Sequence, residues 1–146
     1  MKKLITLAAV VGVTSLLAAC SSHSKNETID GSYILVSANE QPLPQSIPPV
    51  INLSVNDDLT QVKVSGKMCN VFNGDTNYQN GVLQGNFMMT RAMCSEPVLN
   101  ALDTQISQMF AQGVKVEKVD GKLVFTSGNN TLVYQPLQLT SKDNTK

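Results

Sequence analysis

Tryptophan is absent from this 146-residue chain, and its one histidine, His23, lies in a polar stretch near the start. Ser–His–Asp and Cys–His catalysis both need a base held by packed structure within reach of the nucleophile. His23 in such a stretch is no such base. The usual zinc sites go too, because two cysteines without histidines do not complete a tetrahedral shell. Charge is sparse: 15% of residues are charged, with 11 basic against 11 acidic. There is no basic cluster and aromatics are only 5%, so nucleic-acid binding has no electrostatic footprint. No glycine-rich loop leads from a strand into a helix, which removes the phosphate cradle. The residues therefore predict no enzyme, no metal and no cofactor.

Asp75 to Gly81 has the look of a calcium loop, but the match fails. Gln79 stands at the third ligand position, the required glycine comes one residue late, and Asn86 replaces the closing glutamate. A hairpin with hydrogen-bonding turn residues accounts for the same segment.

Long hydrophobic runs are also lacking, with one exception. After Met1-Lys2-Lys3 comes a largely apolar stretch from Leu4 to Leu17, then Ala18-Ala19-Cys20. A basic start, an apolar stretch and small residues at a cut site make a secretory signal. The stretch is short of the ~20 apolar residues of an ordinary spanning helix, which argues against an uncleaved anchor. Leu17-Ala18-Ala19-Cys20 fits the lipobox, in which the thiol of Cys20 receives a diacylglyceryl group before cleavage. Acyl chains anchor firmly, since each buried methylene contributes ~0.8 kcal/mol. Ser21 follows where an aspartate would favour the inner membrane in lipoproteins of enteric-type bacteria. The expectation is an outer-membrane lipoprotein, lipid-anchored and facing the periplasm.

Residues 1–19 then form the signal peptide, 20–28 a flexible tether, 29–138 one domain and 139–146 a disordered tail. Loss of Lys2 and Lys3 leaves nine basic against eleven acidic residues. With Cys20 acylated, Cys69 and Cys94 remain in an oxidising compartment, where paired thiols usually close. The bridge would enclose 24 residues, worth roughly 3 kcal/mol in chain entropy. A redox-active pair is the competing reading, favoured by Cys94 directly before a helix cap. Against it, catalytic dithiols sit close in sequence.

The dominant period is two. Ser32–Ala38, Val50–Val55 and the stretch around Val62 and Val64 alternate as strands, with a proline loop from Pro42 to Pro49. Cys69 to Gln79 reads as a longer strand with a bulge at Gly74. Asn80-Gly81 signals a hairpin back into Val82–Met89. Val98, Leu99, Leu102, Ile106, Met109 and Phe110 change to helical spacing, with Ser95 as N-cap and Gly113 as the stop. Asn100, Asp103, Thr104, Ser107 and Gln108 fall on its polar face. Val114–Val119, Lys122–Thr126 and Thr131–Leu137 follow as a three-stranded meander. One helix cannot cross over for every strand pair, so the sheet is antiparallel. The predicted class is α+β: a curved, barrel-like antiparallel sheet with one packed helix.

Two segments carry a family resemblance. One is Gly66-Lys67-Met68-Cys69-Asn70-Val71-Phe72-Asn73-Gly74, with Tyr78 four residues on. The other is Met89-Thr90-Arg91-Ala92-Met93-Cys94, followed by a helix containing Leu99, Leu102 and Asp103. Together, in order and behind a lipobox, they resemble the META domain over about residues 30–137. The resemblance implies a curved antiparallel sheet and a role in envelope or heat stress. It also implies a loose association with antibiotic tolerance, and no established enzyme activity.

The function expected is a non-enzymatic monomer that binds an envelope protein or a small apolar ligand. Two alternatives stand beside it, a hydrophobic-ligand or lipid carrier and a thiol–disulfide redox protein. Asn70, Phe72, Arg91 and Met93 are the candidate binding residues. Each has a structural alternative: Asn70 and Arg91 as partners of buried groups, Phe72 as core, and Met93 with Met68, Met88 and Met89 as flexible core filler.

Overall fold

Apolar–polar alternation builds the first strand, β1 (Gly31–Ala38), which turns Tyr33 and Leu35 inward and leaves Ser32 exposed. A bulge between Leu35 and Ser37 then shifts the phase, so that Ala38 is the next inward residue. The computed structural model describes residues 28–43 and 48–138. The signal expected over 1–19, the tether up to residue 27, with Cys20 and His23, and the tail 139–146 lie outside the described residues.

After β1 come β2 (Gln41–Pro42), β3 (Val50–Val55), β4 (Gln61–Lys67), β5 (Val71–Gln79), β6 (Val82–Gln84) and β7 (Met88–Met89). The helix α1 (Pro97–Gln112) follows, then β8 (Val114–Val119), β9 (Lys122–Ser127) and β10 (Asn130–Pro136). All pairings are antiparallel. The wall runs β1–β3–β4–β5–β6–β8–β9–β10, and β10 pairs back onto β1, closing an eight-stranded barrel. Closure leaves none of these eight at an open end of the sheet. The fold is thus an antiparallel barrel with one helix. Asn80-Gly81 and Asp120-Gly121 make two of the tight turns, each with positive φ at both central residues.

The antiparallel order puts Ala38, Val50, Lys67, Val71, Gln84, Val114, Ser127 and Asn130 at one end of the barrel. Helix α1 lies across that end. Its apolar stripe, with Leu102, Ile106, Met109 and Phe110, is buried. Barrel donors take the carbonyls of its last turn, which have no partner inside the helix. Gly85 N–H donates to Phe110 O, Gln84 Nε2 to Ala111 O and Ser127 Oγ to Gly113 O, at 3.0, 3.2 and 2.9 Å. Gly113 ends the helix at φ 100°, a conformation that suits glycine. A chain of rings, Phe72–Phe87–Phe110–Phe125–Tyr134, runs from β5 past the helix to β10, with centroids 4.6–5.9 Å apart. With Leu35, Ile51, Leu83, Leu123 and Leu132 these rings fill the interior.

Four local expectations need correction. Cys69 lies ahead of β5 rather than within it, because the chain bends at Met68–Asn70 to meet the helix. Gly74 is not a bulge: it faces Val64 in an unbroken β4–β5 register. Glycine is needed there because a Cβ would come 2.5 Å from Asn86 O. The strand expected over Val82–Met89 is two pieces, interrupted at 85–87 where the Gly85 backbone approaches Asp75 O. Ser95 does not cap the helix. Glu96 occupies the cap position without a side-chain bond, and Ser95 Oγ donates to Glu96 Oε2 instead.

Candidate functional site

Below the first turns of α1, the bend before β5 and the segment after β7 meet in a buried polar network. Asn70 is its centre. Its main-chain N–H donates to both carboxylate oxygens of Asp103, each at 3.1 Å, and its Nδ2 donates to Asp103 Oδ2 at 2.7 Å and Ala92 O at 3.0 Å. Its Oδ1 accepts from Ala92 N–H at 2.6 Å and Thr90 Oγ1 at 2.9 Å. The Thr90 hydroxyl also accepts from Val71 N–H. Asn70 thus uses its side chain as a bracket between helix and loop. Buried polar groups must be satisfied in this way or they cost stability.

A covalent tie sits beside the bracket. Cys69 and Cys94 form a disulfide, with Cα atoms 5.8 Å apart. Cys69 is buried and Cys94 half-buried. Asn100, from the second turn of α1, accepts from Cys94 N–H and donates to Cys94 O, at 3.1 and 3.0 Å. The segment from Thr90 to Glu96 is therefore held at Thr90, Ala92 and Cys94. The residues between, Arg91 and Met93, are exposed, Met93 to 88%.

The four candidate binding residues divide cleanly. Phe72 has no exposed surface and belongs to the ring chain of the core. Asn70 is buried and structural. Arg91 and Met93 stand on the surface, with Met88 at 73% and Val71 at 51% exposure nearby along β5 and β7. Core filler describes Met68 and, in part, Met89, but neither Met88 nor Met93. Lys67, opposite Val71 on β4, adds a second cation to the same rim.

The polar helix face expected for Asp103 is not where the structure puts it: Asp103 is buried against Asn70. The sequence carried a signal for this. Asp103 stands four residues after Leu99 and three before Ile106, inside the apolar stripe, where a carboxylate needs a partner. At the opposite end an open groove of about 600 Å³ is bordered by Ile34, Asp120, Lys122, Gln135, Pro136 and Leu137. Among the described residues no three of His, Cys, Asp and Glu gather as metal ligands.

A family model described as the META domain matches residues 26–138. The chain belongs to the META domain family. It is 33% identical over 136 residues to heat shock protein HslJ of Escherichia coli (strain K12), covering 88% of this chain and 94% of HslJ. An NMR structure with 34% identity superposes at a TM-score of 0.62, covering 73% of this chain and 88% of its own. A second NMR structure, from Burkholderia xenovorans, has a TM-score of 0.57 at 20% identity, covering 75% and 83%. That likeness concerns the fold alone. The chain is thus an HslJ-like, heat shock related META domain protein, in a family not known for an enzymatic activity.

Proposed function

We propose that this META domain is a non-enzymatic lipoprotein of the outer membrane, anchored through Cys20 and facing the periplasm, that binds a protein during envelope or heat stress. One observation carries the binding reading. Exposed apolar side chains, Val71, Met88, Met93 and Val98, occur on the helix-capped half of the molecule, on segments held by the cystine and by Asn70. Rigid support beneath exposed apolar groups is what a docking face needs, because less ordering entropy is lost on binding. The anchor fits this arrangement. Thr28 and Ile29 lead into β1 at the far end, so a tether from Cys20 would leave the helix-capped end pointing away from the membrane. An association with antibiotic tolerance would follow from the same envelope role.

The carrier alternative loses support because aromatic and aliphatic side chains occupy the barrel interior. The thiol–disulfide alternative is weakened by the burial of Cys69, since exchange needs a thiolate to reach a sulfur.

The test is a heat-survival assay with the doubly substituted Met88→Ser, Met93→Ser chain beside a Cys20→Ala chain. The surface pair should keep folding and membrane fractionation yet lose protection, whereas Cys20→Ala should leave the membrane fraction. Full protection by the Met88→Ser, Met93→Ser chain, or membrane retention of the Cys20→Ala chain, would contradict the reading.

A further inference from the structure

We propose that the outer edge of β7 takes up an extended, acidic polypeptide segment as an added strand; this rests on the helix-capped end being the binding face. Among the described residues β7 pairs with β5 alone, Phe72 facing Met89 and Asn73 facing Met88. The preceding strand, β6, reaches β8 only through Val82 and Leu83. Past Gln84 the wall therefore splits, and β7 has β5 on one side and no strand on the other.

The hydrogen-bond phase says which groups face the gap. Thr90 N–H donates to Val71 O at 3.0 Å. Bonded and non-bonded pairs alternate along an antiparallel ladder, so Met89, opposite Phe72, turns its N–H and C=O away from β5. Such an edge is a template for another strand, and proteins usually blunt it with proline, charge or a covering element. No proline occurs between Gly85 and Glu96. Met88 and Met93 instead flank the edge with exposed, adaptable apolar side chains.

Charge selects the occupant. Lys67 and Arg91 are exposed beside Val71 and Met89 and the carboxylate of Asp103 is buried against Asn70, while the exposed carboxylates of Asp75 and Glu96 stand farther along, three residues past Phe72 on β5 and at the helix cap. An acidic segment complements these cations. A second copy of the chain would bring the same cations to them, and an anionic lipid surface has no main-chain groups to offer Met89.

The barrel closes within residues 28–138, so the chain from Ser21 onward folds without the leader. This chain, isotope-labelled, is titrated with a heptapeptide of alternating valine and glutamate. Two control peptides carry lysine in place of glutamate, or methyl groups on alternate main-chain nitrogens. The acidic peptide should slow exchange of the Met89 amide. Its affinity should fall about tenfold with either control peptide and about tenfold in Arg91→Glu, the scale of one main-chain bond or charge pair lost. The Arg91→Glu melting temperature should match the parent, because the side chain is exposed. Equal affinity for the N-methylated peptide overturns strand addition and leaves the binding face standing. Absence of any binding, or binding mapped to the Ile34–Pro136 groove, overturns the proposal. So does Met89 protection that rises with protein concentration alone, or that phosphatidylglycerol vesicles reproduce.

Discussion

Asn70 holds Asp103 through two nitrogens at once, its main-chain N–H and its side-chain Nδ2, and so joins the bend before β5 to the second turn of α1. Hydrogen bonds to a charged group contribute about 1.5–3 kcal/mol, and removing one partner strands the other. Asp103→Ala and Asn70→Ala should each destabilise the fold by about 2–3 kcal/mol in urea unfolding. The double variant should cost clearly less than their sum, since the residues share one network. Full additivity would mean that the two act separately.

The cystine holds the same region. Opening it with Cys69→Ala and Cys94→Ala should cost roughly 3 kcal/mol for a loop of this size. Exchange measured by NMR should rise first between Thr90 and Glu96, the segment the bridge restrains. Uniform loss of protection across the barrel would argue that the bridge acts on the whole fold.

Tyr134 lies fully buried in the core, and among the described residues its hydroxyl has no hydrogen-bond partner. Tyr134→Phe should therefore raise stability, by about 1 kcal/mol, as a stranded polar atom is removed. Burial also pushes the Tyr134 pKa well above the usual 10.0, since the charged form would be desolvated. A raised folded-state value favours the protonated form of the folded chain, so stability is complete below pH about 10 and falls as pH rises beyond it. Tyr33 is raised in the same direction, chiefly by burial. The parent should unfold at alkaline pH, and Tyr134→Phe should resist longer. Identical alkaline midpoints would remove Tyr134 from this account.

Gly66 lies where β4 meets β3 and β5, and a Cβ there would run into Val50 O and the ring of Phe72. Gly66→Ala should cost about 1–3 kcal/mol through overpacking. Arg91→Ala, on the exposed rim, should stay within about 0.5 kcal/mol of the parent. Thermal melts of the two variants give the comparison directly.

Much of the barrel was legible because each strand is two-faced. Inward Ile51 and Leu53, then Val62 and Val64, alternate with polar residues, and the Asn80-Gly81 and Asp120-Gly121 turns punctuate them. Closure was less legible, since β1 and β10 lie at opposite ends of the folding unit and no local pattern encodes their pairing. The site was legible in its residue types but not in their roles. Asn70, Phe72, Arg91 and Met93 lie close together in two short segments, yet side-chain direction separates them into bracket, core and rim. Helical spacing sets Asp103 inside the apolar stripe, but it cannot name Asn70 as the partner that meets the carboxylate there.

The central claim is that partners meet the helix-capped end while the chain is held from the other end. Photo-crosslinking in intact envelopes separates these two ends directly. A photoreactive residue replacing Met93 should capture protein under heat stress, while one replacing Lys122, beside the opposite groove, should capture none. Capture from position 122 with none from 93 would reverse the assignment, and the binding face would have to move to the other end of the barrel.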